Sequence, residues 1–287
     1  MWQVQKIADE GTGEPYIARL WSGAMELRDL LLREHALSDL DFAVRRRHFD
    51  ERYQPLLDGL SASRKHSASV GELVAGHKAR VATGAVISRQ RNALQINETI
   101  HIELQEQVAA FLSSAARATK AVHVLMSYLG LDIGFLFQKR QEFASALEHL
   151  RATGDVELAN YLELTRSGWS EVLIERRHSL EHKGWRLPDL RYVEQPDGTV
   201  RLVEPEVDGQ AVSTFVARMT NHLLGFAEDL LALAVQRGIA RVGDLIDIPP
   251  EHRNPVHVKR FRFGVPALQP RERFWRLKYE DNGFYDS

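Results

Sequence analysis

The segment ERRHSLEHKGW at 175–185 gathers the side chains of this chain that are best suited to acid–base chemistry. It places Arg176, Arg177, His178, His182 and Lys183 beside Glu175 and Glu181. Histidine titrates near neutral pH and can move protons, whereas arginine presents a planar, permanently charged fork to phosphate oxygens. A proton-moving histidine and an arginine that meets developing negative charge are together suited to phosphoryl transfer. The segment is therefore a candidate phosphoryl-transfer site.

Two other interpretations of this segment stay open. Cations are favoured near the C-terminal end of a helix dipole, so the same residues are typical of a charged, solvated helix end. His178 and His182 are four residues apart and share a helix face, a spacing that can hold zinc if further ligands come from elsewhere. The sequence shows no obvious third ligand, so we predict neither a metal nor a cofactor.

The composition excludes several classes of protein. The chain has 287 residues, of which 44% are hydrophobic and 26% charged, and it has no cysteine. It can bury a core, and it has no disulfide framework, thiolate metal site or cysteine nucleophile. No apolar run approaches the roughly 18 residues of a membrane span, and the N-terminus lacks a signal pattern. We therefore expect a cytoplasmic protein with no membrane contact. The P-loop, the nucleophile elbow and the dinucleotide fingerprint are also absent.

Apolar residues recur at three- and four-residue steps through most of the chain, which predicts a mainly α-helical fold. The serine-rich stretch 61–71 predicts a loop, and Ser167-Gly168 predicts a break within a helix. The predicted helices begin at Pro15 and at Ser38 and cover about 70–90, 98–129, 137–150, 156–181 and 213–237.

A change of pattern precedes the last long helix. The segments RYVE at 191–194 and TVRLV at 199–203 flank QPDG, which predicts a β-hairpin. The C-terminal stretch is rich in proline and predicts an extended arm with one strand at HVKRFRF. We thus predict an N-terminal helical hairpin and linker at 1–96, an up-and-down helical bundle with a hairpin insertion at 97–238, and an arm at 239–287.

The predicted arm interleaves basic and aromatic residues. Such a mixture can grip phosphates and stack on single-stranded bases, so Lys259, Arg260 and Arg262 are candidate RNA-binding residues. Arg176 and Lys183 are candidates of the same kind beside the histidine segment. The alternative is that the aromatic side chains of the arm pack on the bundle while its arginines pair with acidic surface.

Arg177, polar His178 and His182 resemble the signature motif of the HEPN family (higher eukaryotes and prokaryotes nucleotide-binding). That motif is an arginine, a polar residue, and a histidine four to six positions after the arginine. The order of elements over about 97–238, with the motif near the end of a third helix and one long closing helix, is also similar to a HEPN bundle. The resemblance implies an all-α bundle and a metal-independent endoribonuclease, as in toxin–antitoxin and antiviral defence systems.

The resemblance also implies roles and partners. His182 would move the proton of the RNA 2′-hydroxyl or of the leaving 5′-oxygen, Arg177 would stabilise the scissile phosphate, and His178 would orient the pair. HEPN ribonucleases are typically homodimers whose motifs face each other across a cleft. We therefore expect RNA, a second copy of the chain and an antitoxin or regulatory protein as partners. The alternative functions are a non-catalytic HEPN-like bundle that binds nucleotide, RNA or protein, and an unrelated helical regulatory protein.

The helical geometry sets a condition on this site. On a continuous helix Arg177 and His182 lie about 140° apart, at about 100° per residue. They converge only if the helix loosens near Gly184 or if a second protomer completes the site. A heptad-like seam over 216–233 is a candidate dimer interface, and packing into the core of one chain is the alternative.

Overall fold

Helices dominate the chain, as the periodicity predicts. The computed structural model describes residues 27–33, 35–91, 93–241, 243–252, 261–265 and 274–279. The helices are α1 (27–33), α2 (Asp39–Ala82), α3 (His101–Tyr128), α4 (Arg140–Ala152), α5 (Val156–Thr165), α6 (Glu171–His182) and α7 (Val212–Ile239). The start of the helix predicted from Pro15 lies outside the described residues.

Small antiparallel strand pairs accompany the helices. They are β1 (Ile87–Gln90) with β2 (Ala93–Ile96), β3 (Arg191–Glu194) with β4 (Val200–Val203), β5 (Glu206–Val207) with β6 (Gln210–Ala211), and β7 (Asp244–Asp247) with β8 (Phe261–Gly264). The hairpin predicted around QPDG is confirmed, with Glu194 opposite Val200. The strand predicted at HVKRFRF is confirmed for its last three residues, which lie in β8.

The prediction of a helix over 70–90 is wrong beyond Ala82. Gly84 adopts a φ of +75° there, and the amide of Ala85 donates to the carbonyl of Arg80. Glycine is favoured in this left-handed conformation at helix ends because it has no Cβ. The chain therefore leaves α2 at Gly84 and enters the β1–β2 hairpin.

The serine-rich segment 61–71 is helical, and the predicted loop is wrong. It lies inside α2, a helix of 44 residues. Ser63 and Val70 are fully buried, and the Ser63 hydroxyl donates to the carbonyl of Gly59 at 2.8 Å. A serine hydroxyl bonded to the preceding turn needs no other partner, and small side chains let neighbouring elements pack closely. Burial therefore overrides the weak helix propensity of this stretch.

Packing divides the chain into two units. The first comprises Met1–Asp58, Ala118–Gly168 and Leu223–Ser287, and the second comprises Gly59–Arg117 and Trp169–His222. The sequence analysis predicts three consecutive domains. In the structure, α2, α3 and α7 each contribute residues to both units. Periodicity in the sequence shows where a helix runs but not where its packing partners change.

The apolar seam of α7 lies in the interior of the chain. Val216, Leu223 and Leu230 are at most 1% exposed, and Phe226 is 2% exposed. Side chains that are already buried within one protomer cannot form the interface with a second one. The core-packing interpretation of this seam is therefore the one that the structure supports.

A buried histidine organises the second unit. His77 on α2 is 0% exposed, its Nδ1 lies 3.3 Å from a carboxylate oxygen of Glu98, and its Nε2 lies 2.8 Å from the hydroxyl of Tyr192 on β3. Burial, with a contribution from the Glu98 charge, raises the pKa of Tyr192, and its hydroxyl shares a hydrogen bond with Nε2. Arg80 donates to the same Glu98 carboxylate. The network ties strand β3 to α2.

Replacing Tyr192 by phenylalanine is expected to lower the free energy of unfolding by about 1–3 kcal/mol, because the buried Nε2 of His77 loses its hydrogen-bond partner. Urea denaturation followed by circular dichroism measures this change. In a His77→Leu background the same replacement should cost less than half as much, since no imidazole is then left unsatisfied. Equal costs in the two backgrounds would contradict the coupling.

Candidate active site

A π-helical turn, Arg166–Ser170, separates α5 from α6 at the break predicted from Ser167-Gly168. Trp169 in this turn is 1% exposed and stacks on the ring of His222, with centroids 5.7 Å apart and ring planes nearly parallel. A π turn holds more residues than an α turn, so it changes the angular positions of all side chains that follow it. The turn therefore shifts the helical register between α5 and α6.

The C-terminal end of α6 is closed by glycine. The amides of Lys183 and Trp185 both donate to the carbonyl of Ser179, at 3.0 and 3.1 Å, and Gly184 adopts a φ of +62°. This is the left-handed termination that satisfies the last carbonyls of a helix. The helix is regular through His182, so it does not loosen within the Arg177–His182 motif.

The three candidate catalytic side chains form one exposed cluster through a residue that sequence analysis did not single out. Glu181 accepts from Arg177 at 2.8 Å, and its other oxygen lies 3.8 Å from Nε2 of His182. The rings of His178 and His182 lie 4.7 Å apart. Arg177 and His182 are 46% and 61% exposed. The signal for Glu181 was present in the i, i+4 spacing from Arg177, which favours an ion pair on one helix face.

Arg176 does not join this cluster but forms an ion pair with Asp208. Its Nε donates to Asp208 at 2.8 Å, and a second guanidinium nitrogen contacts the same carboxylate. Asp208 lies in the turn between β5 and β6 with a φ of 51°. The hydrogen bond from Arg176 to Asp208 raises the pKa of Arg176, as expected for a cation next to a carboxylate. Arg176 therefore anchors α6 to the β5–β6 turn, whereas Lys183 is exposed at the helix end.

Two aromatic residues in the described part of the C-terminal arm are buried. Phe261 and Trp275 are 7% and 3% exposed, and their rings meet edge to face at 5.5 Å. Arg262 lies half-buried on β8, whereas Lys259 and Arg260 fall outside the described residues. Because Phe261 and Trp275 are buried, these two rings offer no surface for bases to stack on.

Within the described ranges, no three histidine, aspartate or glutamate side chains gather in a way that could hold a metal ion. Nor is any helix in that part of the chain both long and apolar enough to cross a bilayer.

Comparison with known proteins gives no relative. No family model matches the chain, and no curated protein or solved structure matches it. The resemblance to HEPN domains therefore rests on the arginine–histidine motif and on the order of the helices.

Proposed function

We propose that this protein is a metal-independent endoribonuclease of HEPN type, a toxin or defence effector, with Arg177, His178 and His182 at its active site. One observation carries the proposal. The Glu181 carboxylate contacts Arg177 with one oxygen and approaches His182 with the other. A carboxylate and a phosphate are both compact anions with oxygen acceptors, so a scissile phosphate at this position would reach both side chains.

The proposed reaction needs no metal. His182 takes the proton of the 2′-hydroxyl, the 2′-oxygen forms a bond to phosphorus, and the bond from phosphorus to the 5′-oxygen breaks. The products are a 2′,3′-cyclic phosphate and a 5′-hydroxyl, which receives a proton. Arg177 stabilises the charge on the phosphorane, and His178, whose ring lies against that of His182 at a tilt of 53°, orients the acting imidazole.

A homodimer is part of this proposal. The cluster stands on an exposed helix end, and exposed charges lose most of their electrostatic advantage to water. A second protomer placed against this end of α6 would exclude solvent and supply a second motif. Because the seam of α7 is buried within the chain, the dimer would use another surface.

A non-catalytic binding module is the second candidate function, and a specific contact favours it. The guanidinium of Arg177 is already paired with Glu181, so it is held away from the position that stabilises a phosphorane, which catalysis needs and binding does not. A bundle with such a cluster can bind RNA, a nucleotide or a protein without cleaving anything.

Incubation of total RNA with the purified protein in excess EDTA separates the two functions. The ribonuclease proposal expects fragmentation of RNA and no effect on single-stranded DNA, which lacks the attacking 2′-hydroxyl. RNA that is bound in a mobility-shift assay but stays intact would support the binding module instead.

Replacing Glu181 by glutamine is expected to raise the rate of RNA cleavage about twofold. An exposed i, i+4 ion pair stabilises a helix by about 0.3–0.5 kcal/mol, and its loss releases Arg177 for phosphate. Single-turnover rates measure the effect, with Glu175→Gln on the same helix as the control. A lower rate for Glu181→Gln would show that the carboxylate holds Arg177 in place rather than competing with RNA.

A further inference from the structure

A cavity of about 420 Å³ lies within the first unit, and no residue of the α6 cluster lines it. Its walls come from α1, α2, the connection after α3 and the last turns of α7. Volumes of roughly 300–1,000 Å³ are typical of small-molecule sites. The cavity is therefore large enough for a small organic ligand.

One side of the cavity is apolar. Leu31, Leu32, Leu131 and Ala234 line it and are each at most 5% exposed. Gly238 lets α7 approach α1 closely there, since a Cβ at this position would lie 1.9 Å from Cδ1 of Leu31. This wall suits a hydrocarbon or aromatic body, whose burial is favourable in proportion to its area.

The polar part of the lining contains two permanent cations, Arg45 and Arg237. His35 and Tyr128 also contribute to it, and none of the described lining residues carries a carboxylate. Each arginine forms an ion pair with an aspartate that is not a lining residue of the cavity. Arg45 Nε binds Asp41 at 2.9 Å, and Arg237 Nη2 binds both oxygens of Asp155 at 2.7 and 2.6 Å.

These ion pairs pre-position the two guanidinium groups. The described contacts use one nitrogen of each group, and a guanidinium has five N–H donors in a fixed fork. The remaining donors suit an anion, because charge-assisted hydrogen bonds to carboxylate or phosphate are the strong ones. The lining thus combines an apolar wall with fixed cationic donors.

We propose that this cavity binds an organic anion with an apolar body, its carboxylate or phosphate head group on Arg45 and Arg237 and its hydrocarbon part against the leucine wall. The anionic head would orient the ligand, and the apolar body would contact the leucine wall. This site is independent of the ribonuclease proposal, because its residues lie in the first unit and the histidine cluster lies in the second.

Isothermal titration of the full chain with decanoate, decyl phosphate and decanol tests the proposal. We expect at least one of the two anions to bind at least tenfold more tightly than decanol, and inorganic phosphate alone to bind weakly. The tighter of the two anions identifies the head group. Equal affinity for decanol and both anions, or no binding of either anion, would overturn the proposal.

Variants that remove one positive charge from the cavity provide a second test. Arg45→Met and Arg237→Met should each weaken anion binding at least tenfold while leaving decanol binding unchanged, which also shows that the cavity is intact. Arg140→Met, an exposed change at the start of α4, is the matched control and should have no effect. Anion affinities that stay unchanged in both cavity variants would refute the assignment. His182→Ala should leave anion binding as it is, so failure of one proposal does not imply failure of the other.

Discussion

Replacing His182 by alanine is expected to slow RNA cleavage in excess chelator by about 10²–10⁴-fold, the usual contribution of a general acid or base. The side chain is 61% exposed, so its removal creates no cavity and leaves the fold intact. A loss of rate would therefore report chemistry rather than unfolding. Single-turnover kinetics on one defined RNA measure the effect.

His149 supplies the matched control for this experiment. It is an exposed histidine in the last turn of α4, as His182 is in the last turn of α6. His149→Ala should keep the parent rate. If both alanine variants cleave RNA at the parent rate, His182 takes no part in the reaction, and a contaminating nuclease becomes the simpler explanation.

Replacing Trp169 by alanine is expected to lower the free energy of unfolding by about 3–5 kcal/mol, the usual cost of removing a fully buried aromatic side chain. Trp169 is 1% exposed and loses its stacking contact with His222 in this variant. The π-helical turn that precedes α6 also loses its largest side chain. Urea denaturation followed by circular dichroism measures the change in stability.

Trp185 is the control for Trp169. It belongs to the same unit, follows α6 directly and is only half-buried. Trp185→Ala should therefore cost clearly less than Trp169→Ala, since its removal leaves a smaller cavity. Similar costs for the two variants would show that the π-helical turn is not packed as described.

Sequence analysis predicted an element correctly where the local residue pattern and the packing of the folded chain favour the same structure. The apolar stripes of α3 and α7 have the period of a helix, and the same residues are buried. Ser167-Gly168 predicted a break because serine and glycine are weak helix formers, and the chain forms a π turn there. Prediction failed at 61–71, where burial of small residues decides the structure.

The structure shows contacts around the candidate residues that the sequence analysis did not predict. Residue types and spacing pointed to Arg177, His178 and His182, and the structure places them in one cluster. The i, i+4 spacing of Arg177 and Glu181 could have indicated their ion pair, whereas the pairing of Arg176 with Asp208 depends on a distant turn. No local pattern in the sequence encodes a contact between residues 32 positions apart.

The chemical nature of the RNA ends produced in excess EDTA tests the central claim most directly. Mass spectrometry of fragments from a defined RNA should show 2′,3′-cyclic phosphates and 5′-hydroxyls with the parent protein, and no such ends above background with His182→Ala. Fragments that end in a 3′-hydroxyl, or an intact RNA with the parent protein, would contradict the account.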